Sequence, residues 1–292
     1  MNKHVVFLPN SDYWDPMRNN FIKIKDIIVN PKHRNLLYRF HMSLKVNSYI
    51  KIPFKFLWLK KIFKNFSKND EFFVEMIEGE NIGLHKDALR WIKKKFPNVC
   101  LVYYCLNTIP KQSRFSFPKI DMLKKEYDYV LSFDKDDAKN NSFIYYEGIY
   151  SKYNRQFDDN IEYDLFFVGN NKGRIDELHK IYKELTQKNV RCLFYINNVS
   201  KNDIVYPEIH YNEKLSYLSV IELICKSKCI LELIFNDRNN NSFRMWESFV
   251  YNKKILTNHK LVFDFDFYDN KRIKSIFSDA NECANFILND EI

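Results

Sequence analysis

Short apolar runs alternate with helical patterns along this chain, and such alternation is typical of layered α/β proteins. In the first half, the apolar runs that predict strands lie at residues 5–8, 72–77, 99–104, 128–133 and 142–146. A helix is predicted where apolar residues recur every four positions, at Leu84, Ala88, Ile92 and Phe96. We therefore expect a sheet covered by helices.

The same pattern restarts after a polar, weakly periodic segment at residues 151–162, which predicts a domain boundary near residue 155. Beyond this segment, strands are predicted at residues 164–168, 191–196, 229–234 and 254–257. Helices are predicted around Ile175 to Leu185 and at residues 215–225 and 243–251. We expect two Rossmann-like α/β domains, at residues 1–155 and 156–292, with a cleft between them.

The spacing of the five glycines, at positions 79, 83, 148, 169 and 173, removes several common motifs. It contains neither the close pairs of a dinucleotide fingerprint nor the five-residue spacing of a Walker loop. The two pairs that are four apart have Asn81 and Asn171 at their centres, where a serine hydrolase would need its nucleophile. None of these three site types is indicated.

The cysteines and histidines give no sign of a metal centre. None of the six cysteines forms a Cys-x-x-Cys pair, and none of the seven histidines is followed by Glu. We therefore expect reduced thiols, a cytoplasmic location and no structural metal. No stretch approaches the ~18 apolar residues of a membrane-spanning helix.

The positive charge is concentrated in one window. Residues 31–70 contain ten basic side chains and one acidic one, which accounts for the net charge of +9. Apolar and aromatic residues alternate with the lysines, so the window could be a helix packed on its own domain, a surface for anionic lipid or a nucleic-acid site. For the lipid alternative, the residues predicted to form a rim that contacts the membrane or acceptor are Lys55, Trp58, Lys60, Lys61 and Lys64.

A glycine-containing turn between a predicted strand and a predicted helix is the first candidate site. It comprises Gly169, Asn170, Lys172, Gly173 and Arg174. The unpaired N–H groups at a helix N-terminus stabilise a phosphate, and two basic side chains would add to that charge. An ordinary strand-to-helix turn would have the same pattern.

The start of the helix at residue 243 is the second candidate. Ser242 is a predicted N-cap, and Arg244 and Glu247 lie three positions apart on nearly the same helix face. The arginine could hold a diphosphate and the carboxylate a ribose. The alternative is an exposed ion pair.

Two Asp-x-Asp motifs, at residues 134–136 and 264–266, could bind a divalent cation. For the first motif we favour a different role, in which Asp134 caps a helix.

Taken in order, several segments resemble a bacterial family of GT-B-like glycosyltransferases from surface-polysaccharide (lipopolysaccharide or capsule) loci, related to CgeB-type proteins. The segments are at residues 99–108, 127–138, 163–174, 242–247 and 253–257. The resemblance implies a GT-B fold, an acceptor-side N-terminal domain, a C-terminal domain that binds the nucleotide sugar, and no cofactor or essential metal. It also implies that the turn from Gly169 to Arg174 contacts phosphates, that Arg244 holds the diphosphate and that Glu247 holds the ribose.

An inverting enzyme of this kind also needs a base, for which the candidates are Glu78, Glu80 and His85, with Asp15 as a further one. The expected partners are a nucleotide-sugar donor, a glycan or lipid-linked acceptor and the inner face of an anionic membrane. Two other functions fit the sequence. One is a non-catalytic nucleotide- or sugar-binding protein of the same fold, and the other is a basic nucleic-acid-binding protein.

Overall fold

The computed structural model describes residues 3–32, 36–107, 120–234, 242–260, 262–264 and 266–289. The chain divides into two compact units, Met1–Tyr153 and Asn154–Ile292. Each unit has a parallel sheet and a hydrophobic core of its own.

The first unit is built on a six-stranded parallel sheet with the strand order β2-β1-β3-β4-β5-β6. Its strands are β1 (Lys3–Phe7), β2 (Ile27–Val29), β3 (Phe72–Ile77), β4 (Val99–Cys105), β5 (Tyr129–Ser132) and β6 (Ile144–Tyr145). The helices are α1 (Asp15–Phe21), α2 (Leu36–His41), α3 (Leu44–Tyr49), α4 (Leu57–Lys60), α5 (Lys86–Lys95), α6 (Ile120–Glu126) and α7 (Lys135–Asn141). The first five positions follow the flavodoxin-like order 2-1-3-4-5.

Aromatic rings form much of the first core. Phe63 lies 5.4 Å from Phe96 and Phe66 lies 4.3 Å from Phe72, measured between ring centroids. Strands β3 and β4 are mostly apolar, with Glu75 as the one charged residue of β3, because a parallel sheet is largely buried on both faces. Phe63 and Phe66 belong to the basic window, so the window supplies core residues, as expected if it packs on its own domain.

The second unit has the strand order β12-β11-β10-β7-β8-β9, again with all neighbours parallel. Its strands are β7 (Tyr163–Asn170), β8 (Cys192–Asn197), β9 (His210–Tyr211), β10 (Ser227–Glu232), β11 (Lys254–Thr257) and β12 (Ile273–Ser275). The helices are α8 (Ile175–Thr186), α9 (Tyr217–Cys225), α10 (Phe243–Val250) and α11 (Ala280–Leu288). Numbered from β7, this is the Rossmann order 3-2-1-4-5-6.

The α/β fold with two parallel sheets is confirmed. The short edge strands β2, β9 and β12 were not predicted, and neither were α1, α6 and α11. None of the helices in the described part of the chain has the length and hydropathy that a bilayer crossing needs.

Two residues of the predicted rim, Lys55 and Trp58, are not exposed enough to contact a membrane or an acceptor. Lys55 is 4% exposed, and its ammonium group donates a hydrogen bond to the Ile52 carbonyl. Trp58 is half-buried, with its ring edge-on to Tyr38 at 5.0 Å and its Nε1 donating to His41. Both side chains are held by packing within the unit, whereas Lys60, Lys61 and Lys64 are exposed.

Candidate functional site

The carboxyl edge of the second sheet contains a topological switch point. After β7, the chain forms β8 and β9 on one side of β7 within the sheet. It then returns to form β10 on the other side of β7. The loops that follow β7 and β10 therefore diverge, and open α/β sheets bind ligands in the crevice outside such strand ends. Both candidate segments of this unit, at residues 169–174 and 242–247, follow one of these two strands.

The turn after β7 has the backbone of a tight reversal. Lys172 and Gly173 both have left-handed backbones, with φ of 48° and 79°. The Asn171 N–H donates to the Asn197 carbonyl at 2.7 Å, which ties the turn to β8. Gly169 and Asn170 belong to β7 itself, so the turn proper is shorter than the sequence suggests.

Arg174 holds this edge of the sheet together. Its guanidinium donates to the carbonyls of Asn170 at 2.8 Å and Asn171 at 3.2 Å, and also to the carbonyl of Leu233, directly after β10. Burial lowers the pKa of Arg174. The side chain thus bridges the two sides of the switch point, and a phosphate contact by Arg174 stays a prediction.

The two helix N-termini near this edge differ in charge. The first turn of α8 carries Asp176 and Glu177, whereas the first turn of α10 carries no acidic residue. Carboxylates at the N-terminus of α8 would repel a phosphate. The first turn of α10 therefore opposes a bound anion less than the first turn of α8 does.

Ser242 begins α10 as predicted. Its hydroxyl oxygen accepts from the Arg244 N–H at 3.0 Å, which caps the helix, and its O–H donates to Glu232. The side chain of Arg244 pairs with Glu247 and is 22% exposed. The predicted segment that precedes Ser242, at residues 239–241, lies outside the described residues.

Glu247 is buried, in contrast to the exposed ion pair considered above. Its side chain has no exposed surface, and it accepts from the Tyr217 hydroxyl at 3.0 Å as well as from Arg244. Burial raises the pKa of Glu247, and the charge of Arg244 opposes that rise. In this arrangement the carboxylate orients Arg244, and a ribose contact by Glu247 stays a prediction.

A second buried carboxylate, Glu232, was missed by the sequence analysis. It is the last residue of β10, and it accepts from the Thr257 hydroxyl at 2.5 Å and from Ser242. Burial raises its pKa as well. A charged residue at the carboxyl end of an apolar strand was the available signal, because a side chain there lies at the ligand-binding edge.

In the first unit, Glu80 belongs to a buried polar network at the switch point between β1 and β3. It accepts from the Tyr38 hydroxyl at 2.6 Å and lies 3.5 Å from the Asn30 amide nitrogen. Arg18, in α1, donates to the carbonyls of Leu8 and Pro9, both at 3.1 Å. With 2% exposure, Glu80 has structural contacts and little surface for an acceptor.

The other two predicted base candidates differ in accessibility. Glu78 is half-buried and accepts from the N–H groups of Leu106 at 2.5 Å and Asn107 at 2.9 Å, after β4. Burial raises its pKa, which those two hydrogen bonds oppose. His85 is 7% exposed, its Nε2 lies 3.3 Å from the Met42 carbonyl, and burial lowers its pKa to about 4. Glu78 is the most accessible of the three, and a catalytic role stays a prediction for each.

The first Asp-x-Asp motif forms a helix cap, as favoured. Asp134 precedes α7 and its carboxylate accepts from the Asp137 N–H at 2.9 Å. The second motif, at residues 264–266, includes residues outside the described ones. Across the described ranges, no group of three or more His, Cys, Asp and Glu side chains is arranged to hold a metal ion.

A surface pocket of about 510 Å³ lies elsewhere in the second unit. It is lined by residues that include Arg155, Tyr195 and Lys226, and by none of the predicted site residues. Its charges are paired, since Arg155 contacts Glu222 and Lys226 contacts Glu162, both at 2.5 Å.

No protein-family model and no curated protein matches this chain. Solved structures do resemble it. An α-glucosyltransferase in complex with UDP and a 13-mer DNA containing a central A:G mismatch has a TM-score of 0.53 at 10% identity, over 88% of this chain and 79% of that one. A second α-glucosyltransferase complex, with UDP and a 13-mer DNA containing an HMU base, has a TM-score of 0.53 at 11% identity, over 87% and 79%.

A UDP-N-acetylglucosamine 2-epimerase structure from Listeria monocytogenes is also similar, with a TM-score of 0.51 at 11% identity, over 99% of this chain and 88% of that one. At such identities the likeness shows the fold alone. The likeness confirms the predicted GT-B type of fold. The similar structures are two glucosyltransferase complexes with UDP and an epimerase named for UDP-N-acetylglucosamine.

Proposed function

We propose that this protein is a glycosyltransferase that moves a sugar from a nucleotide-sugar donor to a lipid-linked glycan in the synthesis of a bacterial surface polysaccharide. The observation that carries this proposal is the switch point between β7 and β10, with the capped N-terminus of α10 and Arg244 beside it. The UDP held by the α-glucosyltransferase of the same fold supports a nucleotide ligand.

The donor diphosphate would be held by the start of α10. The positive end of the α10 dipole and the Arg244 guanidinium would supply positive charge, and the first turn of α10 carries no acidic residue. Glu247 and Tyr217 keep Arg244 in place, because the buried carboxylate accepts from both. We assign Glu247 to this positioning role. We also propose that its carboxylate contacts the ribose after the side chain rearranges when the donor binds.

Departure of the nucleotide creates negative charge on the diphosphate, and fixed cationic and N–H groups stabilise that charge without a metal. We therefore propose a metal-independent reaction without a cofactor. The acceptor would lie against the first unit, where Glu78 is more accessible than Glu80 and His85. The six free thiols fit a cytoplasmic location.

Thermal unfolding with a panel of UDP-, GDP- and dTDP-sugars tests the donor site. A ligand at about 100 times its Kd stabilises the folded state by about 2.7 kcal/mol, so the correct nucleotide should raise Tm. Arg244→Ala should abolish that rise. Arg191→Ala is the matched control, because Arg191 pairs with Asp164 at the opposite edge of the same sheet. An equal loss in both variants would contradict the donor site.

Product analysis separates transfer from the alternatives. A glycosyltransferase releases the nucleoside diphosphate only when an acceptor receives the sugar. An epimerase would convert UDP-N-acetylglucosamine without any acceptor, and a non-catalytic binding protein would be stabilised by the nucleotide but leave the donor intact. Transfer of the sugar to DNA would replace the lipid-linked acceptor in this proposal.

A further inference from the structure

The first unit has an unusual outer surface between residues 36 and 64. Among the described residues, eleven large apolar side chains are more than 50% exposed, and seven of them lie within 22 consecutive positions. These seven are Leu36, Leu37, Phe40, Tyr49, Ile50, Phe54 and Leu57. We call them, together with the exposed cations Arg39, Lys45, Lys51, Lys60, Lys61 and Lys64, the basic apolar surface.

The segments that carry this surface are tied to one another. Asn47 in α3 donates to the His41 carbonyl at 2.9 Å and accepts from the Ile52 N–H at 3.2 Å. Trp58 in α4 donates to His41 Nδ1 at 3.0 Å. The helices α2, α3 and α4 therefore form one local assembly, and their exposed residues belong to one region of the molecule.

The inward face of the same assembly is fully packed. Tyr38, Met42, Leu59 and Phe63 are each at most 3% exposed, and all belong to the core of the first unit. The outer apolar residues are therefore additional to those that the fold needs. A helix that merely packs on its own domain would present polar residues on its outer face.

The charge on this surface has one sign. No Asp or Glu occurs between Asp26 and Asp70. Of the acidic groups on other elements, the exposed Asp87 lies 3.9 Å from Lys55, and the buried Glu80 accepts from Tyr38. The exposed cations thus face solvent without acidic residues in the same stretch of chain.

This combination fits a lipid surface better than a nucleic acid. Nucleic acids are bound by cations and by aromatic rings that stack on bases, and aliphatic side chains add little to either contact. Four of the seven exposed residues are aliphatic: Leu36, Leu37, Ile50 and Leu57. Apolar side chains that enter the acyl boundary, with lysines at the level of the headgroups, are typical of proteins that lie on anionic membranes.

We propose that the basic apolar surface docks the first unit on an anionic phospholipid bilayer, with the exposed Leu, Ile, Phe and Tyr side chains inserted and the cations contacting headgroup phosphates. This deepens, and rests on, the proposed transfer to a lipid-linked acceptor. It moves the membrane contact from Lys55 and Trp58, which are packed, to the exposed residues of α2, α3 and α4 and of the segments on either side of α4.

Co-sedimentation with vesicles tests the proposal. The full chain should bind vesicles of phosphatidylcholine and phosphatidylglycerol in equal parts, and not vesicles of phosphatidylcholine alone. Each lysine near an anionic surface contributes about a fivefold gain in partitioning, so the triple variant Lys60→Glu, Lys61→Glu, Lys64→Glu should lower binding by more than 100-fold, about fivefold per site. The control variant Lys180→Glu, Lys183→Glu, Lys188→Glu alters three exposed lysines of α8 and the following turn and changes net charge equally.

The apolar part is tested by Leu37→Gln with Phe40→Gln, which should release the protein from anionic vesicles at high salt, where insertion carries most of the binding. Phe277→Gln, at a 65% exposed residue of the second unit, is the control. The proposal is overturned if wild type ignores anionic vesicles or if the control variants lose binding equally. It is also overturned if the triple variant loses binding to single-stranded DNA and keeps binding to vesicles. Dissociation of a dimer in solution by Leu37→Gln with Phe40→Gln, without any loss of vesicle binding, would overturn it too.

Nucleotide protection against unfolding, measured on the same variants, separates this proposal from the function on which it rests. Vesicle binding without nucleotide protection would remove the donor site and leave the docking surface. Nucleotide protection without vesicle binding would do the reverse.

Discussion

Burial changes the pKa of several side chains in this protein, and His85 is a clear case. Burial lowers its pKa to about 4, with Lys55 and His41 acting in the same direction and Asp87 against it. Protonation therefore favours the unfolded chain, whose histidine has a pKa near 6.5. The stability contributed by neutral His85 is complete above about pH 6.5 and is lost as the pH falls towards 4, by about 3 kcal/mol in total.

We expect His85→Gln to flatten the acid limb of the stability profile. The amide can still donate to the Met42 carbonyl but does not titrate. Urea unfolding of both proteins from pH 7 to pH 4 should show a difference in their free energies of unfolding that shifts in favour of the variant as the pH falls. Glu78 and Glu80, whose pKa values are raised, titrate in both proteins and cancel in the comparison. A constant difference across the range would contradict neutral, buried His85.

At this scale the sequence predicted residues whose role is local. Ser242 and Asp134 cap helices as expected, because a cap depends on the side chain and on backbone atoms two or three positions away. It did not predict which polar side chains are buried, because that burial depends on segments far away in the chain. Lys55, Glu80 and Glu247 are all polar, yet tertiary packing buries each of them.

Among the elements, α10 depends on a cap that has two functions. Ser242 accepts from the Arg244 N–H and also donates to the buried Glu232. Ser216 provides a simpler case, since it caps α9 by accepting from the Ser219 N–H at 3.1 Å, and its hydroxyl also bonds to the Ser219 hydroxyl at 2.8 Å.

We therefore expect Ser242→Ala to lower the free energy of unfolding by about 2–3 kcal/mol, against about 1 kcal/mol for Ser216→Ala. The excess comes from the carboxylate of Glu232, which loses one of its hydrogen-bond donors while still buried. Denaturant titration of the two variants checks the difference, and nucleotide protection should weaken only in Ser242→Ala. Equal losses of stability would show that the contact with Glu232 contributes nothing.

The sequence predicted the central strands and the edge strand β6, but it missed the other three edge strands for a physical reason. Strands such as β3, β4 and β7 are buried on both faces, so they appear as apolar runs. The strands β2, β9 and β12 have three, two and three residues and lie at the edges of their sheets. Strands this short are not recognisable as apolar runs in the sequence.

For the whole molecule, the sequence indicated two α/β units but not how they differ. The first sheet has the order 2-1-3-4-5-6 and the second 3-2-1-4-5-6, which follow from pairing between strands far apart in the chain. The difference matters for function, because the Rossmann order brings the ends of β7 and β10 together at a switch point with Arg174, Glu232 and Arg244 around it.

The second unit has the components of an independent nucleotide-binding domain. Its core residues, from Leu165 to Ile287, all lie within residues 154–292, and so do the groups proposed to hold the donor. We therefore expect the fragment 154–292 to unfold cooperatively and to gain the same increase in Tm from the correct nucleoside diphosphate as the full chain. Arg244→Ala should abolish that increase in the fragment, as in the full chain. A folded fragment that the nucleotide does not stabilise, beside a full chain that it does, would show that the first unit supplies part of the donor site.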